Sequence, residues 1–293
     1  MKIVAFERNG EAGIGVLSED GASVRPYRVT AEQAAAGVQI LADLAAAGSP
    51  APATGDAIAM DGLKLRAPMP RPKRNIFCVG KNYFDHAHEF AGSGFDSSAA
   101  AGAVPKAPII FSKVPESVIA HGEPIVQDPA VSTATDYEVE LGVIIGRGGR
   151  GITKETALEH VWGYTIINDA TARDLQGLHS QWLIGKSQDT FCPMGPIAVT
   201  ADEFNLADAF VRTWVNGELR QDSNTKLLIF DVPTTIATIA AGITLIPGDV
   251  IATGTPAGVG IGFKPPKYLK PGDVVRMEIE GIGVLENEIR TPG

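Results

Sequence analysis

The chain has 293 residues, 44% of them hydrophobic and 20% charged, which is an ordinary globular composition with length enough for one large core or two domains. A net charge of −9 and a pI near 5.1 argue against a general binder of nucleic-acid backbones, which carries a basic footprint. The opening MKIVAFERNG has no cleavable-signal pattern, and the most apolar later stretch, Ile229 to Ile246, is broken by Asp231, Pro233 and several threonines, so a membrane is not an expected partner and a reducing cytoplasm is the expected setting.

The first 70 residues read as a small β-rich unit. KIVAFE and GIGVLS are short strands separated by glycine, in the manner of a hairpin. Thr30 is placed to cap a helix through AEQAAAGVQILADLAAAG that stops at Gly48, and SPAPATGDAIAMDG reads as loop. The proline-dense KLRAPMPRPKRN marks a domain boundary near residue 70, dividing 1–70 from 71–293. Beyond it come a buried strand, IFCVG, a short helix from Asp85 to Phe90, and AGSGFDSSAAAGAVPK, a small-residue loop of the kind used as a lid. Cys78, in that strand, and the distant Cys192 form no CxxC pair and are expected to be buried, reduced thiols.

APIIFSK, EPIVQ and STATDYEVELGVII continue the β pattern. GRGGRG, Gly146 to Gly151, lacks the lysine and hydroxyl of a phosphate loop and reads as a turn. Thr153 begins a helix through KETALEHV, GYTIINDAT is a strand, and ARDLQGLHSQWLIGKS is loop with a short helix. GPIAVT, VRTWVNGEL, DVIATG and VVRMEIEGIGVLENEI are strands, VNGE is a hairpin turn, and TTIATIAAG is a helix. The pattern predicts an α+β fold, mostly β: a mixed β-sandwich roll behind a small N-terminal β-rich domain.

Within DYEVELGVII, Asp136, Glu138 and Glu140 alternate with Tyr137, Val139 and Leu141. A strand places alternate side chains on one face, roughly 6.6 Å apart, so the acids repel one another. Two readings follow. The acids hold a hard divalent cation together with Asp169 of IINDAT, in which case an all-oxygen donor set selects Mg²⁺ or Mn²⁺ over zinc; or they form the solvated face of an edge strand. His86 and Glu89, three apart on a short helix, are either a general base with its orienting carboxylate or a chance surface pair. Lys186 is a candidate fixed cation for an oxyanion or carboxylate, or a solvated lysine. TGTPAGVG, Thr253 to Gly260, is a turn whose backbone N–H groups can hold a carboxylate, or a plain turn.

Taken in order, VGKNYFDHAHE, DYEVELGVIIG, GYTIINDATARDLQ, GKSQDTFCPMGP, VNGELRQ and ITLIPGDVIATGTPAGVG resemble the fumarylacetoacetate hydrolase family, in particular its smaller bacterial-type members acting on 2-oxo acids. The resemblance covers residues 73 to 290. It implies metal ligation by Glu138, Glu140 and Asp169, a water-activating pair of His86 and Glu89, a polarising Lys186, and substrate contacts from Lys81, Tyr83 and Thr255. Lys81 stands where some relatives have arginine, which grips a carboxylate with two bonds where lysine cannot. Asp136 is matched to no ligand.

The activity implied is Mg²⁺- or Mn²⁺-dependent hydrolysis of a C–C bond in an acylpyruvate-type 2,4-dioxo acid. Oxaloacetate decarboxylation or keto–enol tautomerisation on the same site are alternatives, and metal-dependent binding without catalysis is another. A homodimer is also implied. If Glu138 and Glu140 are a mutually repelling pair, removing either charge should leave the metal-free protein at least as stable.

Overall fold

The acids' strand lies in the middle of a sheet. Val139–Ile145 pairs antiparallel with Val161–Asn168 on one side and with Val250–Ala252 on the other. It is buried on both faces, which overturns the reading of a solvated edge. Its odd-numbered residues, Val139, Leu141, Val143 and Ile145, enter one apolar core, while Ile144 enters a second core on the opposite face. The acid row therefore runs Glu138, Glu140, Gly142, Ile144, changing from charge to hydrocarbon along a single face.

The computed structural model describes residues 1–91 and 104–293; the expected lid falls almost wholly outside the described residues. Twelve strands form the large sheet. From one edge its path runs Ile58–Ala59, Ser23–Pro26, Glu11–Leu17, Lys2–Arg8, Cys192–Thr200, Val161–Asn168, Val139–Ile145, Val250–Ala252, Ile76–Gly80 and Ile109–Lys113. A five-stranded sheet is built from Glu218–Asn224, Phe210–Val215, Val274–Ile279, Gly283–Arg290 and Ile125–Val126. Its Val211, Val215, Val275, Met277, Ile279, Leu285 and Ile289 share a core with Val139 and Leu141, so the two sheets pack face to face as a mixed, mostly β roll with few helices.

The first 70 residues extend the large sheet: Lys2 and Ile3 pair with Val199 and Ala198, so strand pairing runs across the expected boundary at residue 70. Thr30 does cap its helix, with Gln33 completing a reciprocal capping box. That helix stops at Ala35, however, and a second runs from Gln39 to Ala46. Gly37 between them has φ +63°, and a Cβ there would overlap the Pro68 carbonyl oxygen that receives the Val38 N–H. Tertiary packing against the proline segment thus breaks an alanine-rich run that local propensity would have kept helical.

The Thr153 helix is reduced to a single 3₁₀ turn, Ala157–His160. The Asn216–Gly217 hairpin forms with φ of +51° and +81°, as a two-residue turn between twisted strands requires. The TTIATIAAG helix spans Val232–Ala240, where Asp231 accepts the Thr234 N–H. Both cysteines are free and buried.

Gly163 lies against the backbone of the neighbouring strand, where a Cβ would overlap the Val199 carbonyl oxygen. No side chain there can yield. Gly163→Ala is expected to lower stability by roughly 2 kcal/mol or more, read as a shift of the urea midpoint relative to wild type.

Candidate active site and cation centre

Four strand ends converge on the site. Val139–Ile145 begins there, and Val161–Asn168, Val250–Ala252 and Ile76–Gly80 finish there. Strand pairing ends at Val139 and Asn168; the Asp169 N–H then donates to the Glu138 carbonyl at 2.9 Å, and the Asn168 side chain accepts the Glu138 N–H at 3.1 Å. These bonds set Asp169 beside Glu138 and Glu140. The three carboxylates are buried and present oxygens that all lie within 4.8 Å of one another.

Repulsion is not what organises them. Charges alternate through the cluster. Asp136 accepts from Arg173 Nε at 2.8 Å, and Arg173 Nη2 reaches Glu138 Oε1 at 2.7 Å. Lys186 Nζ lies 2.8 Å from Glu138 Oε2 and 2.7 Å from Asp169 Oδ2, while Lys113 Nζ lies 2.7 Å from Asp169 Oδ1. Among the described residues four acids therefore share three cations, and Glu140 is the acid that none of the three contacts; its Oε2 accepts the Gly254 N–H at 2.7 Å.

The protonation equilibria follow this arrangement. Burial works to raise the Glu138 carboxyl, but Lys186 and Arg173 outweigh it and hold it at about 2 against an ordinary 4.5. Burial, then the charges of Asp169 and Glu138, push Glu140 well above its ordinary range. Burial opposes the charge on Lys186, but Asp169 and Glu138 prevail and keep the ammonium form favoured.

An uncompensated buried carboxyl in an all-oxygen donor set fits a hard divalent cation, which would neutralise Glu140 and take one oxygen from each of the three acids. Zinc, which favours nitrogen and sulfur, has no such donor in the cluster. Asp136 is apart from this set. The chain breaks its strand at Tyr137 and Glu138, and Asp136 belongs to a two-stranded ribbon with Thr171.

A narrow cleft of about 20 Å³ opens on the cluster, lined by Lys81, His86, Phe111, Glu138, Glu140, Arg173, Gln176, Trp182, Lys186 and Thr255, among others. Thus Lys81 and His86, five residues apart, meet the distant Lys186 and Thr255 here. His86 is buried, and its Nδ1 lies 3.4 Å from Glu89 Oε2, so the pair is no chance surface contact. Lys81 has φ +54° at the turn where Ile76–Gly80 leads into the helix Phe84–Ala91. Tyr83 is also buried, but it lines a neighbouring depression with Phe84, Asp222 and Leu227; burial and then the Glu140 charge push its phenol upward.

The glycine-rich turn holds carboxylates, as its backbone suggested, but they are the protein's own. Gly254 N–H donates to Glu140, Gly258 N–H to both oxygens of Glu89 at 3.1 Å, and Gly260 and Ile261 N–H to Asp136 at 2.6 and 3.0 Å. Thr255 Oγ1 accepts from Gln221, whose amide also donates to the Pro256 carbonyl at 2.8 Å and whose oxygen accepts the Val139 N–H at 3.2 Å.

Sequence reading missed Arg173, Lys113 and Gln221. Lys113 closes an otherwise apolar strand segment, IIFSK, and a cation in that position is the one available hint; Arg173 and Gln221 carry none.

Fold and site together define an enzyme-like β roll whose buried acid cluster is suited to a divalent cation. The model of the fumarylacetoacetate (FAA) hydrolase C-terminal domain matches residues 75–290, and the chain belongs to that family. It is 49% identical over 228 residues to oxaloacetate tautomerase YisK of Bacillus subtilis, covering 78% of this chain and 73% of that one. Among solved structures, the fumarylacetoacetate hydrolase of Exiguobacterium antarcticum superposes with a TM-score of 0.84 at 45% identity, covering 100% of both chains. The 2-hydroxyhepta-2,4-diene-1,7-dioate isomerase of Mycobacterium marinum gives 0.78 at 31%, covering 100% of this chain and 99% of the other. Among the described residues no helix is long and apolar enough to cross a membrane.

Glu138 and Glu140 should respond oppositely to loss of charge in metal-free protein. Glu140, raised in the folded state, favours its proton there, so stability falls as pH rises from the unfolded value of 4.5 toward the raised one. Glu140→Gln removes that loss and should be at least as stable at neutral pH, the gain fading below pH 4.5. Glu138, lowered, contributes stability that is present above 4.5 and lost as pH falls toward 2. Glu138→Gln should cost roughly 3 kcal/mol at neutral pH by leaving Lys186 and Arg173 undercompensated. Urea unfolding of chelator-treated variants at several pH values checks both; the second prediction departs from the expectation of two equivalent glutamates because Lys186 and Arg173 pair with Glu138.

Proposed function

We propose that the protein is a divalent-metal-dependent enzyme that moves a proton between the enol and keto forms of a 2-oxo dicarboxylic acid of the oxaloacetate class. The observation that carries this is the buried His86, backed by a half-buried Glu89, in one cleft with Glu138, Glu140 and Lys186 of the charged cluster. The 49% identical relative is named for oxaloacetate tautomerisation and a structural neighbour for an isomerisation, both proton transfers, which supports the reading.

Mg²⁺ or Mn²⁺ held by Glu138, Glu140 and Asp169 would supply positive charge where negative charge develops on the substrate oxygens. The protein's own groups do the rest. Glu89, fixed by the Gly258 N–H, orients the His86 ring through Nδ1, so proton transfer falls to Nε2. Ketonisation breaks the enol O–H bond, whose electron pair completes the C=O bond, while the C=C pair takes a proton at the adjacent carbon. The proton that Nε2 delivers is replaced by the one the enol oxygen releases, so nothing is consumed.

Lys186, its ammonium 5.2 Å from the Phe111 ring centroid, sets a fixed cation beside the developing charge. Lys81 and Thr255 are the groups for the second carboxylate. Phe111 and Trp182, packed edge to face with centroids 5.1 Å apart, keep water off that wall. A small-molecule substrate and a homodimeric assembly complete the proposal.

Hydrolysis of a C–C bond in an acylpyruvate is a second reading, favoured by the full-length likeness to a fumarylacetoacetate hydrolase. It uses the same residues but requires a water between His86 and the distal carbonyl. Chelator-stripped protein given oxaloacetate, with enol absorbance and pyruvate followed with and without Mg²⁺ or Mn²⁺, separates the cases. Ion-dependent loss of enol signal without pyruvate is the expected result. Pyruvate from oxaloacetate would mean decarboxylation, and pyruvate from an acylpyruvate would mean hydrolysis.

His86→Ala should slow turnover by about 10²- to 10⁴-fold while ligand affinity persists; an unchanged rate would sink the reading. Gly262→Ala probes the same pair from outside the cleft. A Cβ there would overlap Glu89 Oε1, Cδ and Cγ, so the Glu89 side chain must swing away from His86 and kcat should fall about tenfold or more while the sheet framework is retained. Circular dichroism and steady-state rates measured together test this.

A further inference from the structure

Lys113 is one of three wholly buried charges of the cluster, with Asp136 and Asp169. It lies outside the lining of the cleft and ends the edge strand Ile109–Lys113, two residues beyond Phe111, which is part of that lining. Its ammonium has three N–H donors, and three acceptors meet it: Asp169 Oδ1 at 2.7 Å, the Ala170 carbonyl at 3.1 Å, and the Lys186 carbonyl. All its donors are committed to the framework, so it has none to offer a substrate. It is a positioning residue.

Its contacts have a specific consequence for Asp169. Both Asp169 oxygens accept an ammonium N–H, Oδ1 from Lys113 and Oδ2 from Lys186. Lys113 is held at three points within the protein whereas Lys186 borders the cleft, so Oδ1 is the oxygen closed to an ion. Glu138 is similarly engaged at both oxygens, by Arg173 at one and Lys186 at the other. Ca²⁺ takes six to eight oxygens and gains from carboxylates that bind through two, whereas Mg²⁺ and Mn²⁺ are satisfied by single oxygens in an octahedron completed by water or substrate.

We propose that Lys113 determines which ion the site prefers: by occupying one oxygen of Asp169, it denies two-oxygen coordination and so selects against Ca²⁺. The inference rests on the reading that Glu138, Glu140 and Asp169 hold a divalent cation. The same ammonium ties the Lys186 backbone to Asp169, so ion choice and the placing of the polarising lysine are fixed by one group.

Calorimetric titration of full-length, chelator-stripped wild type and Lys113→Met with Mg²⁺, Mn²⁺ and Ca²⁺ alone is the test. Methionine keeps the stem and removes the charge. The wild type should bind Mg²⁺ or Mn²⁺ in preference to Ca²⁺, and the variant should shift the ratio of the Ca²⁺ and Mn²⁺ dissociation constants toward Ca²⁺ by about tenfold or more. A general structural role would weaken every ion alike, and an unchanged ratio overturns the proposal while leaving the cation site standing. If the wild type binds none of the three ions, the cation reading itself fails and the proposal goes with it.

Should Lys113→Met not fold, a crystal structure of the wild type with Mn²⁺ decides the matter. Asp169 bound through one oxygen, with Lys113 still on the other, supports it; Asp169 bound through both overturns it.

Discussion

The site depends on an alternating chain of buried charges, Asp136–Arg173–Glu138–Lys186–Asp169–Lys113, with successive members 2.7 to 2.8 Å apart. Taking any one of these ions out of water alone would cost several kcal/mol. The chain is tolerable because each interior member touches a partner of opposite sign on two sides. This makes the cluster cooperative: residues from four separate stretches of sequence have to arrive together, and the removal of one strands its neighbours. Glu140 is the exception that gives the arrangement a use. It adds a fourth acid that the three cations do not match, and that residual charge is what a divalent ion would balance.

Backbone geometry fixes where this happens. Four strands end or begin at one place, so their side chains point across a common gap. The glycine-rich turn after Val250–Ala252 then passes over it and spends its N–H groups on Glu140, Glu89 and Asp136 in succession. One short segment thereby sets the position of a cation ligand, of the carboxylate behind the candidate base, and of the anchor for Arg173. Glycines are required along it because Gly258, at φ +101°, lies against the Arg220 carbonyl and Gly262 against the Glu89 carboxylate. A bulkier turn could not approach its acids closely enough to donate to them.

The same framework explains why similar chains carry names for tautomerisation, isomerisation and hydrolysis. Each of these reactions needs negative charge stabilised on an oxygen next to a carboxylate, and a base within reach. On the function proposed above, the charged cluster and His86 would supply those features whatever the substrate. On that reading, what would separate hydrolysis from proton transfer is whether a water fits between His86 and the substrate.

The sequence by itself determined the family, the mostly β character and the chemical inventory. Ordered motifs from VGKNYFDHAHE to TGTPAGVG carry the resemblance, alternation marked the acids' strand, and Asn216–Gly217 marked a hairpin, because each of these is a local pattern. His86, Glu89, Glu138, Glu140, Asp169, Lys186 and Thr255 could all be named in advance. Their mutual relations could not be. Whether the acid row faced solvent or a core depended on which strands flanked it, and periodicity is identical in the two cases. Gly37 broke a helix because Pro68 packs there, thirty-one positions away in the chain. Above all, two neighbouring glutamates that look equivalent in sequence were given opposite protonation behaviour, since Lys186 and Arg173 reach Glu138 and leave Glu140. Electrostatic environment is set by distance in space, and only the folded chain brings Lys113, Arg173 and Lys186 within reach of those acids.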